Sequence, residues 1–157
     1  MKDESSAPQQ GLYLEDLSVG LKFESGTHAV DEAQIKAFAA QFDPQPFHLD
    51  DTAAQTSLFK GLAASGWHTA AITMRLLVTG GLPLAGGIIG AGGSIKWPRP
   101  TRPGDVLKVR AEVIDITPSR SRPDRGMVTV RFETVNQDGE VVQELTTPVV
   151  VHRRPAA

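Results

Sequence analysis

The sequence of 157 residues contains no cysteine, and its formal net charge at pH 7 is only −2. Without cysteine the chain forms no disulfide, thiolate nucleophile or cysteine-ligated zinc site. A charge this close to zero argues against a surface for nucleic acid or anionic lipid, and no nonpolar run is long enough to span a bilayer. We therefore expect neither nucleic acid nor membrane as a partner, and a cytoplasmic location.

The composition indicates a single globular domain. Hydrophobic residues make up 40% and charged residues 22% of the chain, and a chain of this length forms one core. The opening residues MKDESSAPQQG lack the nonpolar segment of a secretory signal. We expect a disordered lead over residues 1–12 and one domain over residues 13–154.

The first half of the chain carries one strand signal and one helix signal. GLKFESGTHAV predicts a strand that ends near Val30. Asp31 is a predicted helix N-cap, with Gln34 at the capping-box position. Nonpolar residues then recur at helical spacing over residues 35–42. Residues 43–60 are polar and contain prolines, so we expect irregular structure there.

The second half predicts a long helix followed by strands. LAASGWHTAAITMRLLVTGG is nonpolar nearly all round, which is typical of a buried helix, and it is expected to end at Gly80–Gly81. After a glycine-rich loop, GSIKWPRP, GDVLKVRAEVIDITPS, GMVTVRFETVNQ and EVVQELTTPVVVHRR predict strands, with a hairpin turn at residues 137–139. A buried helix followed by successive strands indicates an antiparallel sheet packed on that helix, an α+β architecture.

The segment QFDPQPFHLDD contains the residues best suited to proton transfer. Pro44 ends the first helix, because the residue before a proline is disfavoured in the α conformation, and Asp43 is therefore placed at the helix exit. Proline fixes φ, which limits how His48 is oriented relative to Asp43. A carboxylate and a histidine near the same atoms transfer protons near neutral pH. On spacing alone, a polar surface loop is the more common outcome.

A metal site is the alternative for this segment, with His48, Asp50 and Asp51 as ligands beside Asp43. A hydrolytic metal generally needs three converging protein ligands, often including a second histidine. The other histidines have no ligand-like spacing to His48; they are His28, His68 and His152. We expect no metal, and Asp50 and Asp51 to be solvated neighbours.

The start of the long helix, ASGWH, could bind an oxyanion. Gly66 lies in its first turn, where N–H groups lack intrahelical acceptors and attract negative charge. Glycine there lets a substrate oxygen approach the backbone, although close helix–sheet packing also favours glycine. Ser65 lacks the G-x-S-x-G environment of a nucleophile. His68 is a spare acid–base candidate, more commonly a histidine that faces the sheet with one hydrogen bond.

Two basic segments either contact phosphates of a nucleotide-like carrier or form solvated turns. One is PSRSRPDRG, and the other, KWPRPTRPGD, includes Lys96, Arg99 and Arg102. The glycine-rich GAGGS matches neither a dinucleotide-binding motif nor a P-loop.

Together these segments resemble the MaoC-like dehydratases, the (R)-specific enoyl-CoA hydratase group of the hotdog fold. FDPQPFHLD is similar to the family pattern D-x-N-P-x-H, and GLAASGWHTAA and IKWPRPTRPGD follow in the family's order, so that the resemblance extends over residues 21–151. It implies a long central helix wrapped by a bent antiparallel sheet. It also implies a homodimer or dimer of dimers that binds acyl-CoA or an acyl-carrier-protein thioester, with no metal or redox cofactor and with CoA as part of the substrate.

The resemblance also implies roles for single residues. Asp43 and His48 would hold one water for the reversible syn hydration of a trans-2-enoyl thioester, and Gly66 with Ser65 would bind the thioester oxygen. Gln45 stands where the family usually has Asn, so a hydrogen bond that orients the loop is expected to be weaker. Residues expected to orient the site or line an acyl pocket are Gln45, Phe47, Trp67 and His68, with Met74, Leu76 and Leu77 further along the helix.

Two other functions stay open at this point. Hotdog proteins include thioesterases, so the chain could hydrolyse acyl-CoA. It could also bind acyl thioesters without catalysis. The pairing of Asp43 with His48 favours the hydratase.

Overall fold

A computed structural model describes residues 11–156. The disordered lead is expected over residues 1–12. Residues 1–10 lie outside the described range, and only Gly11 and Leu12 lie within it. Of these, Leu12 is tied to the domain, because its N–H donates to Pro83 O at 2.8 Å and its carbonyl accepts from Ala85 N at 2.9 Å. Over the described range, no helix combines the length and nonpolar character that crossing a bilayer requires.

The described residues form four α-helices and six strands. The helices are α1 (Glu32–Phe42), α2 (Pro46–Leu49), α3 (Asp51–Gln55) and α4 (Gly66–Leu76). The strands are β1 (Lys22–Ala29), β2 (Ile89–Gly90), β3 (Ser94–Lys96), β4 (Val106–Pro118), β5 (Arg125–Val135) and β6 (Val141–His152). A 3₁₀ turn, Leu14–Asp16, precedes β1, and a wide π-type turn, Leu77–Gly81, extends α4.

All strand pairs in the sheet are antiparallel. The order is β1-β4-β5-β6, and both β2 and β3 pair with β6. Register shifts interrupt the β1–β4 ladder between Glu24 and Thr27 and the β4–β5 ladder between Val113 and Asp115, and such irregularities bend a sheet. The curved sheet packs around α4, which confirms the α+β class and the hotdog fold with its central helix.

The core lies between α4 and the concave face of the sheet. Every second residue is buried there over residues 107–113 of β4 and 126–134 of β5, as period-2 alternation predicts; these residues include Val109, Ala111, Val113, Val128, Val130 and Phe132. Ile72 and Leu76 of α4 pack into the same cluster. Burial stabilises each large nonpolar side chain by about 1.5–3 kcal/mol, so this face fixes α4 on the sheet.

The first helix follows the predicted pattern. Asp31 accepts a hydrogen bond from the Gln34 N–H at 2.8 Å and so caps α1. The Gln34 side chain does not complete the capping box; it bonds His28 and the Ala29 carbonyl instead. Asp43 is the C-cap, and its N–H donates to Ala39 O at 2.9 Å.

The expectation of irregular structure over residues 43–60 is wrong for its middle part, which contains α2 and α3. Pro46 occupies the first turn of α2, where its fixed φ suits a helix and its missing N–H costs nothing. Asp50 caps α3 by accepting from the N–H groups of Thr52 and Ala53 at 2.8 and 3.1 Å. Two short helices therefore carry the chain from Asp43 toward α4.

The central helix differs from its prediction in two ways. It begins at Gly66 rather than near Leu62, because Ser65 caps it. Its surface is also not buried all round in the single chain. Trp67, Met74 and Val78 are exposed along one side of α4 and its extension, so a nonpolar stripe faces away from the sheet.

Candidate active site

Asp43 and His48 lie next to each other. The His48 Nε2 is 3.3 Å from the Asp43 Oδ2, and their side chains are 5% and 16% exposed. Asp43 is presented by the end of α1 and His48 by α2, so the turn through Pro44 and Pro46 brings the two helix ends together. The structure therefore pairs the two residues in a nearly buried position.

The tautomer of His48 follows from its second nitrogen. Nδ1 lies 2.6 Å from the carbonyl oxygen of Ala63, and because a carbonyl only accepts, Nδ1 carries a proton. The Ala63 N–H in turn donates to Phe47 O at 3.3 Å, and the Phe47 ring packs edge-on to the imidazole with the centroids 4.6 Å apart. These contacts fix the ring and leave Nε2 as the nitrogen that exchanges protons with Asp43 or a substrate.

Further side chains act on the Asp43 carboxylate. Gln45 Nε2 donates to Asp43 Oδ1 at 2.6 Å, so this glutamine does orient the carboxylate. Partial burial acts to raise the pKa of Asp43, but the hydrogen bonds from Ser65 and Gln45 and the charge of His48 outweigh it and leave the pKa below its ordinary value. Asp43 is thereby ionised near neutral pH, as a base must be.

Ser65 and Gly66 form the start of α4 beside this pair. Ser65 is fully buried, its hydroxyl oxygen accepts from the Trp67 N–H at 3.3 Å, and the side chain lies near enough to Asp43 to help lower the pKa of that carboxyl group. Among the described residues, no acceptor is hydrogen-bonded to the Gly66 N–H. A free N–H at the positive end of a helix can receive an oxygen that carries developing negative charge.

A cleft of about 850 Å³ opens on these residues. Its wall includes Asp43, Gln45, Phe47, His48, Gly66 and Trp67, together with residues of the 58–60 and 97–102 segments. A volume of this size lies within the range usual for small-molecule sites. The acid–base pair and the helix start thus face one ligand-sized space.

Other sequence candidates do not belong to the cleft. His68 faces α1 rather than the sheet: its ring stacks on Phe38 at a centroid distance of 4.6 Å, and its Nδ1 has no hydrogen-bond partner within the described residues. Burial, helped by the nearby His28, lowers the pKa of His68, so the ring is neutral. Leu76 and Leu77 are core residues, which rules them out as cleft lining.

The carboxylates that a metal site would need point elsewhere. Asp50 caps α3, and Asp51 Oδ2 lies 3.1 Å from Lys36 Nζ. Over residues 11–156, no three histidine or acidic side chains converge in the manner of a metal site.

The basic residues are distributed differently from the sequence expectation. Arg102 lines the cleft, but its guanidinium donates to the carbonyls of Phe59, Gly61 and Leu62 and so anchors the loop before α4. Arg99 forms an ion pair of 2.6 Å with Glu140.

Lys60 also lines the cleft, and no acidic side chain in the described chain pairs with it. Its φ of 54° is left-handed, a conformation that costs a non-glycine residue about 1–3 kcal/mol.

Sequence reasoning missed several cleft residues. Trp97, Thr69 and Thr101 line it, and so do Leu58 and Lys60. The WPRPTRPGD segment did carry a signal, because its prolines and tryptophan follow a short predicted strand. The position of Lys60 had no sequence signal, since it depends on how the loop before α4 folds back.

The fold, the Asp–His pair beside a helix start and the cleft define a protein of the MaoC-like dehydratase class. The family model for the MaoC-like domain matches residues 17–136, and the chain belongs to this family.

Three relatives illustrate the similarity. The chain is 33% identical over 145 residues to the uncharacterised protein YdeM of Bacillus subtilis, covering 90% of this chain and 100% of YdeM. It is 32% identical over 143 residues to the (R)-specific enoyl-CoA hydratase of Rhodospirillum rubrum, covering 90% of this chain and 93% of the relative. The crystal structure of a MaoC-like dehydratase from Rhodospirillum rubrum matches with a TM-score of 0.92 at 68% identity, covering 93% of this chain and 100% of that one.

Proposed function

We propose that this protein catalyses the reversible hydration of a trans-2-enoyl thioester, carried by CoA or an acyl-carrier protein, to the (R)-3-hydroxyacyl thioester. The observation that carries the proposal is the 3.3 Å approach of His48 Nε2 to Asp43 Oδ2 in the wall of the cleft. Membership of the MaoC-like family and the similarity to an (R)-specific enoyl-CoA hydratase support it.

In the proposed reaction the pair acts on one water. The ionised Asp43 takes a proton as the water oxygen bonds Cβ, and the protonated Nε2 of His48 gives a proton to Cα. A proton then passes from Asp43 to His48 and restores the pair. The proposal requires that Asp43 and His48 act on the same water. It depends less on which of the two is the base and which is the acid.

Negative charge grows on the thioester oxygen while Cβ is attacked. The Gly66 N–H and the positive end of α4 are placed to stabilise that charge. Ser65 supports both parts of the site, because it caps α4 and helps to lower the pKa of Asp43. The thioester itself makes Cα acidic, so the proposed reaction uses no metal or redox cofactor.

The proposal is tested with purified protein and crotonyl-CoA. We expect the ultraviolet absorbance of the conjugated enoyl thioester to fall, with (R)-3-hydroxybutyryl-CoA as the product on chiral analysis. Release of free thiol without hydration, measured with a thiol reagent, would identify a thioesterase instead. Binding of acyl-CoA without either reaction would identify a non-catalytic binding protein.

We also propose that the protein is a homodimer or a dimer of dimers. The support is the nonpolar stripe of Trp67, Met74 and Val78, whose side chains are 60%, 42% and 56% exposed. Contiguous nonpolar surface of this kind is usually covered by a partner. Light scattering coupled to size-exclusion chromatography measures the mass of the protein in solution, and a monomeric mass at micromolar concentration would contradict the proposal.

A further inference from the structure

A series of buried polar side chains lies behind the cleft, between α4 and the sheet. The Trp97 indole N–H donates to Gln143 Oε1 at 2.9 Å, and Gln143 Nε2 donates to Thr73 Oγ1 at 3.2 Å. The Thr73 hydroxyl donates to Thr69 O at 2.9 Å and lies 2.6 Å from Thr134 Oγ1. Gln143, Thr73 and Thr134 are each at most 1% exposed.

The donor and acceptor in each hydrogen bond of this series follow from the chemistry of the groups. An indole N–H only donates, so Gln143 must turn its oxygen to Trp97 and its nitrogen to Thr73. The single hydroxyl proton of Thr73 goes to a carbonyl, which leaves its oxygen to accept from Gln143 and Thr134. Breaking one such buried bond costs about 1–3 kcal/mol. The indole of Trp97 is therefore held in one orientation.

Trp97 lines the cleft together with a pair of threonines. Thr69 Oγ1 and Thr101 Oγ1 are 2.9 Å apart, both residues are 2% exposed, and both line the cleft. The Trp97 ring lies so close to Gly66 that an added Cβ there would meet it at 2.7 Å. Trp97, Thr69 and Thr101 are called the inner wall below.

The cleft lining also includes one highly exposed residue and one lysine. Leu58 is 92% exposed, and the unpaired Lys60 lines the same cleft. A CoA or carrier-protein group is large and anionic, so we expect it to leave the cleft beside Lys60. If the thioester oxygen binds the Gly66 N–H, the acyl group points to the inner wall.

Resting on the proposed function, we propose that the inner wall restricts the substrate to short acyl chains and that Trp97 sets the limit. Thr69 and Thr101 are buried in this wall, and Trp97, which is 39% exposed, is held by the bond from its indole N–H to Gln143. Further along α4, Leu76 and Leu77 are at most 6% exposed and fill the core. A longer chain therefore meets the indole of Trp97, which Gln143 holds in place.

The test compares kcat/KM for crotonyl-CoA and for trans-2-octenoyl-CoA. The wild type is expected to favour crotonyl-CoA. In Trp97→Ala, the octenoyl-to-crotonyl ratio should rise about tenfold or more, since one accommodated methylene is worth about 1–3 kcal/mol. Trp97→Phe keeps most of the bulk and should give a smaller rise, in case the alanine variant does not fold.

Ile114→Ala is the matched control. Ile114 lies on β4, is exposed to nearly the same fraction as Trp97, 38% against 39%, and is not among the cleft-lining residues. We expect its octenoyl-to-crotonyl ratio to stay at the wild-type value. A wild type that accepts both substrates equally, an unchanged ratio in both Trp97 variants, or an equal rise in Ile114→Ala would each overturn the inference.

Failure of the inference is distinguishable from failure of the proposed function. If no enoyl-CoA is hydrated, the proposed function fails. The affinities for saturated butyryl-CoA and octanoyl-CoA, measured by calorimetry, still test the wall without any reaction. Trp97→Ala should then strengthen octanoyl-CoA binding relative to butyryl-CoA, and an unchanged ratio of the two affinities would refute the role of Trp97.

Discussion

The indole of Trp97 packs directly on the Cα of Gly66. A Cβ built on Gly66 would lie 2.7 Å from Cε2 of the ring and 2.9 Å from two further ring atoms. The same ring donates its N–H to the fully buried Gln143, so it has little freedom to retreat. Glycine at the start of α4 is thus required by the packing of the cleft wall, in addition to any role of its N–H toward substrate.

Gly66→Ala should destabilise the protein by about 1–3 kcal/mol, the usual cost of overpacking a close contact. Urea unfolding measures the change. Gly26→Ala is the control, because a Cβ at Gly26 meets nothing within 4 Å. Combining Gly66→Ala with Trp97→Ala should cost less than the sum of the two single changes, as residues in contact are not additive. Strict additivity would contradict the packing argument.

Asp43→Asn should lower kcat/KM for crotonyl-CoA by at least ~100-fold, because the amide cannot take a proton from water while its shape is kept. Asp51→Asn is the matched control. Its carboxylate is exposed and pairs with Lys36, so the variant should retain wild-type activity. Full activity of Asp43→Asn, with an unchanged circular dichroism spectrum, would rule out the proposed mechanism.

His48→Gln should reduce kcat/KM to a similar extent. Since Asp43 and His48 are proposed to act on the same water, the double variant Asp43→Asn/His48→Gln should be hardly slower than either single variant, as found for residues that work as a unit. Steady-state rates of the three variants test this. Losses that multiply in the double variant would indicate independent roles.

The hydrogen bonds to Asp43 predict a pH effect. Removing the Gln45 amide in Gln45→Met takes away one interaction that lowers the pKa of Asp43, so that pKa rises and the acid limb of the kcat/KM profile moves to higher pH. Because the pKa of Asp43 is lower in the folded protein than in the unfolded chain, its ionisation stabilises the fold at pH values above the unfolded-state pKa. This stabilisation is lost as the pH falls through the folded-state pKa. Gln55→Met, at an exposed position of α3, should leave the acid limb in place. An unmoved limb in Gln45→Met would contradict this assignment.

Lys60→Met should raise KM for crotonyl-CoA several-fold if the unpaired ammonium contacts a phosphate of the carrier, since a charge-assisted hydrogen bond contributes about 1.5–3 kcal/mol. The KM for the crotonyl thioester of N-acetylcysteamine, which lacks phosphate, should not change. Lys36→Met removes a lysine paired with Glu32 and Asp51 and serves as the control. Equal effects on both thioesters would exclude a phosphate contact.

Several local features are determined by the sequence itself. Asp31 caps α1, and the chain leaves that helix at Asp43, because caps and X-Pro steps act through neighbouring residues. The long strands and the turn at Gly139, whose φ is 75°, follow from period-2 alternation and turn chemistry. The order of these segments was enough to indicate the family and its fold.

The geometry of the site was decided only by tertiary structure. The ring of His48 is fixed by a carbonyl 15 residues away, Trp97 by Gln143 at a separation of 46, and the loop before α4 by Arg102 at a separation of 41. None of these pairs has a spacing that a local pattern predicts. They form because the packing of α4 on the sheet brings remote segments within hydrogen-bonding distance. Burial then makes each unmade bond costly, and so selects the one arrangement in which the pair, the helix start and the inner wall face a single cleft.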